Sequence, residues 1–253
     1  MSFERQEKIK ELLDEKGVVF FKELEALFPQ VTSMTLRRDI ERLTGEGIAI
    51  KIRGGAKAVQ HTDLREPIYS LRATKNIEIK LKIAKKALPY IETGRSVYLD
   101  AGSTLMCFAS ILPDISLTVL TSGPNIALEV LKNHNPTVNL IGGLINQDNL
   151  CVSGKQSLNF IKDVNIDIAF MSPSGFSVKD GFTCGNYSEA ELKKTIIKKA
   201  NRVIMLMDSN KVDKSLIFTF ANIKDIDIII TDIALPQSIQ SIISKSSTEL
   251  IIV

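Results

Sequence analysis

The chain has 253 residues, 44% hydrophobic and 24% charged, with a formal net charge of +3. That length is comfortable for two domains, the balance is that of an ordinary soluble protein, and so small a charge does not by itself diagnose nucleic-acid binding. Three distant cysteines and two isolated histidines argue against a disulfide framework or a metal site; no apolar run is long enough to cross a bilayer, no signal peptide is visible, and a cytoplasmic protein without cofactor is expected.

The first predicted helix covers 3–15, with Ile9, Leu12 and Leu13 on its apolar side; Gly17 stops it, and Val18-Val19 is a short extended segment. A second helix over 21–28 carries Leu24, Leu27 and Phe28 and ends at Pro29. Thr32 or Ser33 then suits an N-cap, because a side-chain oxygen there satisfies an orphan amide. In the third helix Leu36, Ile40 and Leu43 fall at i, i+4 and i+7 on one face. Arg37, Arg38, Glu41 and Arg42 take the opposite face, with Met34 and Thr35 near its start. Gly45 and Gly47 end it. Ile48, Ile50 and Ile52 alternate with Ala49, Lys51 and Arg53, the period of a half-buried strand, and Gly54-Gly55 supplies a turn or exit.

An apolar back with an arginine-rich front suits the major groove, and also suits a solvated surface helix. The helix before it and the basic hairpin after it favour DNA, as a winged helix-turn-helix. Ser33, Met34, Arg37 and Arg38 are then expected at bases or in the groove, Arg42, Lys51, Arg53 and Lys57 mainly at phosphates, and Thr32 and Thr35 also in the DNA-binding set. The string TLRRDIERL, the preceding KELEALF and the closing IRGGA resemble the N-terminal domain of DeoR-family transcriptional regulators, whose third helix reads DNA. The turn Pro29-Gln30-Val31 is one residue longer than the family's usual one.

Residues 58–73 are polar, contain Pro67 and lack periodicity. They are expected to link a DNA-binding domain over 1–57 to a second domain over 74–253, with one extended segment near Ile68. From Thr74 helices alternate with short apolar strands. Helices are predicted over 75–91, 103–112, from Gly123 through Leu131, over 157–161 and over 188–200. Strands are predicted at 96–99, 117–120, 137–141, 166–171, 203–207, 226–230 and 250–253, with a glycine-containing loop running to Tyr187. This is the pattern of an α/β domain with a parallel sheet covered on both faces. Ligands of such sheets bind beyond the carboxyl ends of the strands, where the glycines and polar residues collect.

At those ends, Asp100-Ala101-Gly102-Ser103-Thr104 joins a strand to a helix start. It suits a phosphate cradle, or an ordinary cap after a tight turn. Thr121, Ser122, Gly123 and Asn125 would form the neighbouring wall. Gly142-Gly143 lets backbone approach a ligand, or makes a structural turn. Asp100 and Asp208 suit sugar hydroxyls, and Lys211 suits a phosphate or the surface. Glu189 and Lys193, spaced i, i+4, are ligand-binding residues or a stabilising surface pair.

DAGSTL, TSGPNIA, Gly142-Gly143, DIAFMSPSG, SEAELKK, DSNK and TD occur in the order of the DeoR-family sensor domain, so the resemblance spans nearly the whole chain. It assigns Glu189, Glu191 and Lys193 to the family's EAExK stretch. It implies a Rossmann-like sensor similar in fold to ribose-5-phosphate isomerase and CoA-transferase proteins. It also implies a repressor of a sugar-catabolic operon that binds double-stranded operator DNA and responds to a phosphorylated sugar. Operator half-sites call for a homodimer or homotetramer. A sugar-phosphate isomerase-like enzyme is the alternative, and a DNA-binding scaffold whose second domain only oligomerises is a third reading.

Overall fold

The apolar face read from Leu36, Ile40 and Leu43 is fully buried, and with Ile9, Leu13, Val19 and Leu24 it makes one core. In the structure, a computed structural model that describes residues 2–58, 68–233 and 235–253, this core belongs to a first unit ending at Asp63; a second unit begins at Leu64. The first unit runs α1 (Ser2–Lys16), β1 (Val18–Phe20), α2 (Phe21–Leu27), α3 (Ser33–Gly45), β2 (Ala49–Ile52) and β3 (Gly55–Ala58). Thr32 is the N-cap of α3, its side chain accepting from the Thr35 amide at 3.3 Å. The turn before it is closed by the Val31 N–H donating to the Phe28 carbonyl at 2.9 Å.

The strands form an antiparallel sheet in the order β1-β3-β2. Ile52 pairs with Gly55, so Arg53-Gly54 is a two-residue turn, and Gly54 takes the positive φ of 88° that it needs. One expectation is reversed here. Ala49 is the buried residue of β2, and Ile50 is 46% exposed. The buried side of the sheet is built from Ala49, Ala56 and Ala58, small side chains that let it lie close against the helices.

The second unit runs α4 (Tyr69–Thr74), α5 (Ile77–Ala87), β4 (Ser96–Leu99), α6 (Ser103–Ala109), β5 (Thr118–Thr121), α7 (Pro124–Val130), β6 (Thr137–Leu140), β7 (Leu144–Asn146), β8 (Cys151–Ser153) and α8 (Lys155–Lys162). It continues with β9 (Ile166–Met171), β10 (Gly175–Ser177), β11 (Gly181–Cys184), α9 (Tyr187–Lys199), β12 (Ala200–Leu206), β13 (Phe218–Ala221), β14 (Ile228–Thr231), α10 (Gln237–Ile243) and β15 (Glu249–Ile252). Seven strands make one parallel sheet in the order β15-β14-β12-β9-β4-β5-β6. Val97, Leu99, Ile168, Phe170, Ile204 and Leu206 face α5, α6 and α7. Tyr98, Ala169, Met171, Met205 and Met207 lie in the other core, with Ala190, Leu192 and Ile196 of α9.

Three features depart from the expected elements. Residues 69–73, expected as linker, belong to the helix α4. The expected loop before Tyr187 holds β10 and β11, which pair with β13 in a small antiparallel sheet. The hairpin β7–β8 and α10 complete the set. Strand order reverses between β4 and β9: the chain moves from β4 to β5 and β6 on one side, then returns to the other. Such a switch point is where α/β sheets bind ligands.

Candidate functional site

The exposure of the residues expected at DNA follows from the cap and the amphipathic period. With Thr32 at the cap and Leu36, Ile40 and Leu43 inside, Thr32, Ser33, Met34, Arg37, Arg38 and Arg42 are exposed and Thr35 is half-buried. Arg37 lies over the Phe21 ring at 4.8 Å, which steadies its guanidinium. Ser33 donates to Glu25 at 2.6 Å. Arg42 pairs with Glu46 at 3.2 Å and Lys51 with Glu41 at 3.0 Å. Exposed pairs of this kind are worth about 0–1 kcal/mol, so phosphates can displace their glutamates. Arg53 and Lys57 are exposed on the hairpin.

Sequence reasoning missed Asp39. It is 4% exposed on α3, accepts from Arg5 Nε at 2.6 Å and from Gln6 Nε2 at 2.9 Å, and thereby pins α3 to α1. The hydrogen bond to Asp39, opposed by burial, raises the Arg5 pKa above the ordinary arginine value. The signal was available: an aspartate between buried Leu36 and Ile40 needs a partner.

In the second unit, Asp100 follows β4 directly, and its N–H continues the ladder to the Phe170 carbonyl at 3.0 Å. Its side chain lies on the Tyr98 side of the sheet, toward α9, and is fully buried. Oδ2 accepts from the Ser172 N–H at 3.1 Å and from Lys193 Nζ. Lys193 also donates to the Ser172 carbonyl at 3.0 Å, lies 3.3 Å from Glu189 Oε1, and sits 5.0 Å from the Phe220 ring centroid. The other Glu189 oxygen accepts from Asn149 Nδ2, whose Oδ1 accepts from the Cys151 N–H at 3.0 Å. Glu189 and Lys193 are 4% and 2% exposed, so the surface-pair alternative is overturned. Burial alone opposes the Lys193 charge, but Asp100 and then Glu189 outweigh it and hold the ammonium above the ordinary lysine range. Glu191 lies apart, pairing with Lys194 at 3.0 Å.

Asp100 Oδ1 is buried with no hydrogen-bond partner. Beside it Gly102 has φ of 148°, and Ser103 and Thr104 start α6 as buried residues. A Cβ on Gly102 would meet nothing nearer than Ser172 Cβ at 4.0 Å, so its conformation rather than crowding requires glycine. On the neighbouring strand end, Thr121 Oγ1 accepts from the Gly123 N–H at 3.0 Å, and Ser122 Oγ lies 2.9 Å from the Tyr98 hydroxyl. Gly143 takes the structural alternative. A Cβ there would lie 2.6 Å from both the Ser153 carbonyl and Ser157 Oγ, so the close approach it permits is to its own chain. Ser157 donates to the Gly142 carbonyl at 2.7 Å.

Asp208 is 2% exposed and caps the 3-10 turn Ser209–Lys211, accepting from the Asn210 N–H at 3.1 Å. Asp232 pins that turn, accepting from the Ser209 N–H at 2.6 Å and its hydroxyl at 3.0 Å. Lys211 is half-buried at the turn's end. In the strand order β4-β9-β12, Asp208 stands two strand spacings from Asp100, roughly 10 Å. The structure therefore joins Asp100, Glu189 and Lys193 in one cluster, with Ser122 on the same side of the sheet and Ser103 and Thr104 at the helix start that follows. Thr121, paired with Leu99, faces the other side, and Asp208 and Lys211 lie farther along the same edge. Ser172, which lies within DIAFMSPSG but carries no expectation of its own there, and Asn149, which no motif covers, complete the cluster. Among the described residues no group is arranged to hold a metal ion, and no helix is long and apolar enough to cross a membrane.

Residues 5–62 match the DeoR-like helix-turn-helix domain, and residues 75–233 match the DeoR C terminal sensor domain. The HTH-type transcriptional regulator GolR of Listeria innocua is 34% identical over 91% of this chain and 90% of its own. The glycerol-3-phosphate regulon repressor of Escherichia coli is 25% identical over 98% of this chain and 97% of its own. Ribose 5-phosphate isomerase A of Methanocaldococcus jannaschii superposes on 55% of this chain and 56% of its own at 18% identity with a TM-score of 0.41, a likeness too distant to bear on function. The two full-length relatives are named for transcriptional regulation and not for catalysis, so the isomerase alternative falls. Both halves match in order, and one relative is 34% identical along nine-tenths of each chain: this chain belongs to the DeoR family of helix-turn-helix transcriptional regulators.

Proposed function

We propose that this regulator represses a sugar-catabolic operon and that a phosphorylated sugar, bound at the carboxyl edge of the seven-stranded sheet, changes its hold on operator DNA. The observation that carries the reading is Asp100 Oδ1, a fully buried acceptor without a donor at the switch point of the sheet. An unsatisfied buried acceptor costs about 1–3 kcal/mol, and a sugar hydroxyl donating to it removes that cost. Lys193, already saturated by Asp100, Glu189 and the Ser172 carbonyl, positions the carboxylate rather than binding phosphate itself. The phosphoryl group falls to the Gly102–Thr104 segment and Lys211, with Thr121 and Ser122 as the wall and Asp208 as a further acceptor. At the other end of the chain, α3 enters the major groove. Ser33, Met34, Arg37 and Arg38 read bases, and Arg42, Lys51, Arg53 and Lys57 meet phosphates. Two half-sites engage a symmetric dimer or tetramer.

An effector moves DNA affinity only through unequal affinity for the DNA-competent and incompetent states. The test is fluorescence anisotropy with DNA from upstream of the protein's own gene, titrated with and without a panel of sugar phosphates. The expected result is sequence-preferring binding that one sugar phosphate changes, with the response lost in Lys211→Glu. Binding that no sugar phosphate changes overturns the effector reading. A normal response in Lys211→Glu removes Lys211 from the site.

A further inference from the structure

Helix α4 has six residues and no fully buried side chain. A helix that short is not stable alone, so its docking depends on its contacts. At its start the Tyr69 N–H donates to the Asp148 carbonyl at 2.6 Å, next to the Asn149 that holds Glu189. The Tyr69 hydroxyl accepts from Asn125 Nδ2 at 2.7 Å. At its far end the buried Lys80 donates to the carbonyls of Arg72 and Lys75 at 2.5 and 2.6 Å. The helix is a strap with polar ties at both ends, and one tie is a residue of the effector wall.

Asn125 has one further property. Its Oδ1 is buried and unpartnered, like Asp100 Oδ1. It is turned toward the loop after β5, since a Cβ on Gly123 would lie 3.4 Å from it. Strands β4 and β5 are neighbours, so the two idle acceptors stand beyond adjacent strand ends. An idle acceptor beyond a strand end suits a donating hydroxyl of a polyol.

We propose that Tyr69 is a positioning residue that couples effector binding to the docking of α4: by holding Asn125 Nδ2 it turns Oδ1 to accept from a ligand hydroxyl. The inference rests on the sugar-phosphate reading of the site. Ligand and docked α4 favour the same orientation of Asn125, so each stabilises the other, and the coupling is reciprocal. Since α4 is the first helix of the second unit, occupancy of the site is felt at the point where the chain enters from the DNA-binding unit.

The test uses the full-length protein, its Tyr69→Phe and Asn125→Ala variants and the double variant. Each is titrated with ribose 5-phosphate, glucose 6-phosphate, glycerol 3-phosphate and inorganic phosphate. Operator binding and hydrogen exchange over 68–76 and 121–131 are read together. The compound that changes operator binding is expected to slow exchange in α4 by about threefold or more in the natural protein, and not in Tyr69→Phe. Its half-effective concentration rises about tenfold in either single variant and no further in the double. A Tyr69→Phe protein with the natural response, or losses that simply add, overturns the proposal. If no compound alters operator binding, the sugar-phosphate reading fails. The tie is then read without ligand: exchange over 121–131 that Tyr69→Phe leaves unchanged overturns the coupling on its own account.

Discussion

Lys193 is a buried cation facing two carboxylates, Asp100 and Glu189. Replacing it with Met keeps most of its volume and leaves two unpaired negative charges in a dry site. The expected loss is about 3–5 kcal/mol at neutral pH, read from urea unfolding. The pH dependence has a definite sign. The natural ammonium has a pKa raised above its unfolded value of 10.5, so its contribution is full below that value and is lost only as pH rises through the higher folded one. The Lys193 ammonium therefore adds no pH dependence across the neutral range, whereas burial raises the Asp100 carboxyl above its ordinary value in spite of Lys193, so that group favours folding as pH falls. In Lys193→Met the carboxylates lose the cation that opposes the effect of burial, so the variant is expected to gain more stability than the natural protein as pH falls from neutrality. A variant as stable as the natural protein at neutral pH, with a flat profile, would show that the cluster contributes little.

At the scale of elements, the wing turns on two adjacent glycines with different reasons. Gly54 needs a positive φ; Gly55 cannot carry a Cβ, which would lie 2.1 Å from the Val19 carbonyl oxygen and 2.8 Å from Phe20 Cα. Those atoms are held by the β1–β3 ladder, where Phe20 pairs with Gly55, and cannot give way. Gly55→Ala is expected to destabilise the first unit by about 1–3 kcal/mol and to release the hairpin amides to hydrogen exchange, while an exposed substitution such as Lys22→Ala does neither. The pair was legible as a turn but not as a close approach, because the partner strand lies far back in the sequence. The same limit recurs elsewhere. The face of α3 was legible because its period is local. The wing's inward side was not, because Ile50 outranks Ala49 in hydrophobicity while the tight packing favours the smaller residue. Strands β10, β11 and β13 have three or four residues each and no period long enough to read. Glu189 and Lys193 look like a surface pair until Asp100, 93 residues away, is brought onto them.

At the scale of the molecule, DNA binding rests on where charge lies, since the net charge is only +3. Over residues 1–58, eleven basic side chains stand against ten acidic ones. Over 32–57 the ratio is six to three, and one of those acids, Asp39, is buried against Arg5 and Gln6. The basic surplus is thus confined to α3 and the hairpin, and each exposed cation there is expected to carry a large share of the electrostatic binding. Arg53 and Lys57 lie on the hairpin, away from the start of α3 proposed to read bases. Replacing either with Ala is expected to weaken binding to operator and unrelated DNA alike. The slope of log K against log salt should fall by about 0.9 for each lost phosphate contact, or about 1.8 for a symmetric dimer. Arg37→Ala is expected to act differently: it removes discrimination between operator and unrelated DNA while changing the slope less. Anisotropy titrations over a range of salt concentrations on both DNAs separate the two classes. A Lys57→Ala protein that loses sequence preference at an unchanged slope would move the hairpin from phosphate contact to base reading.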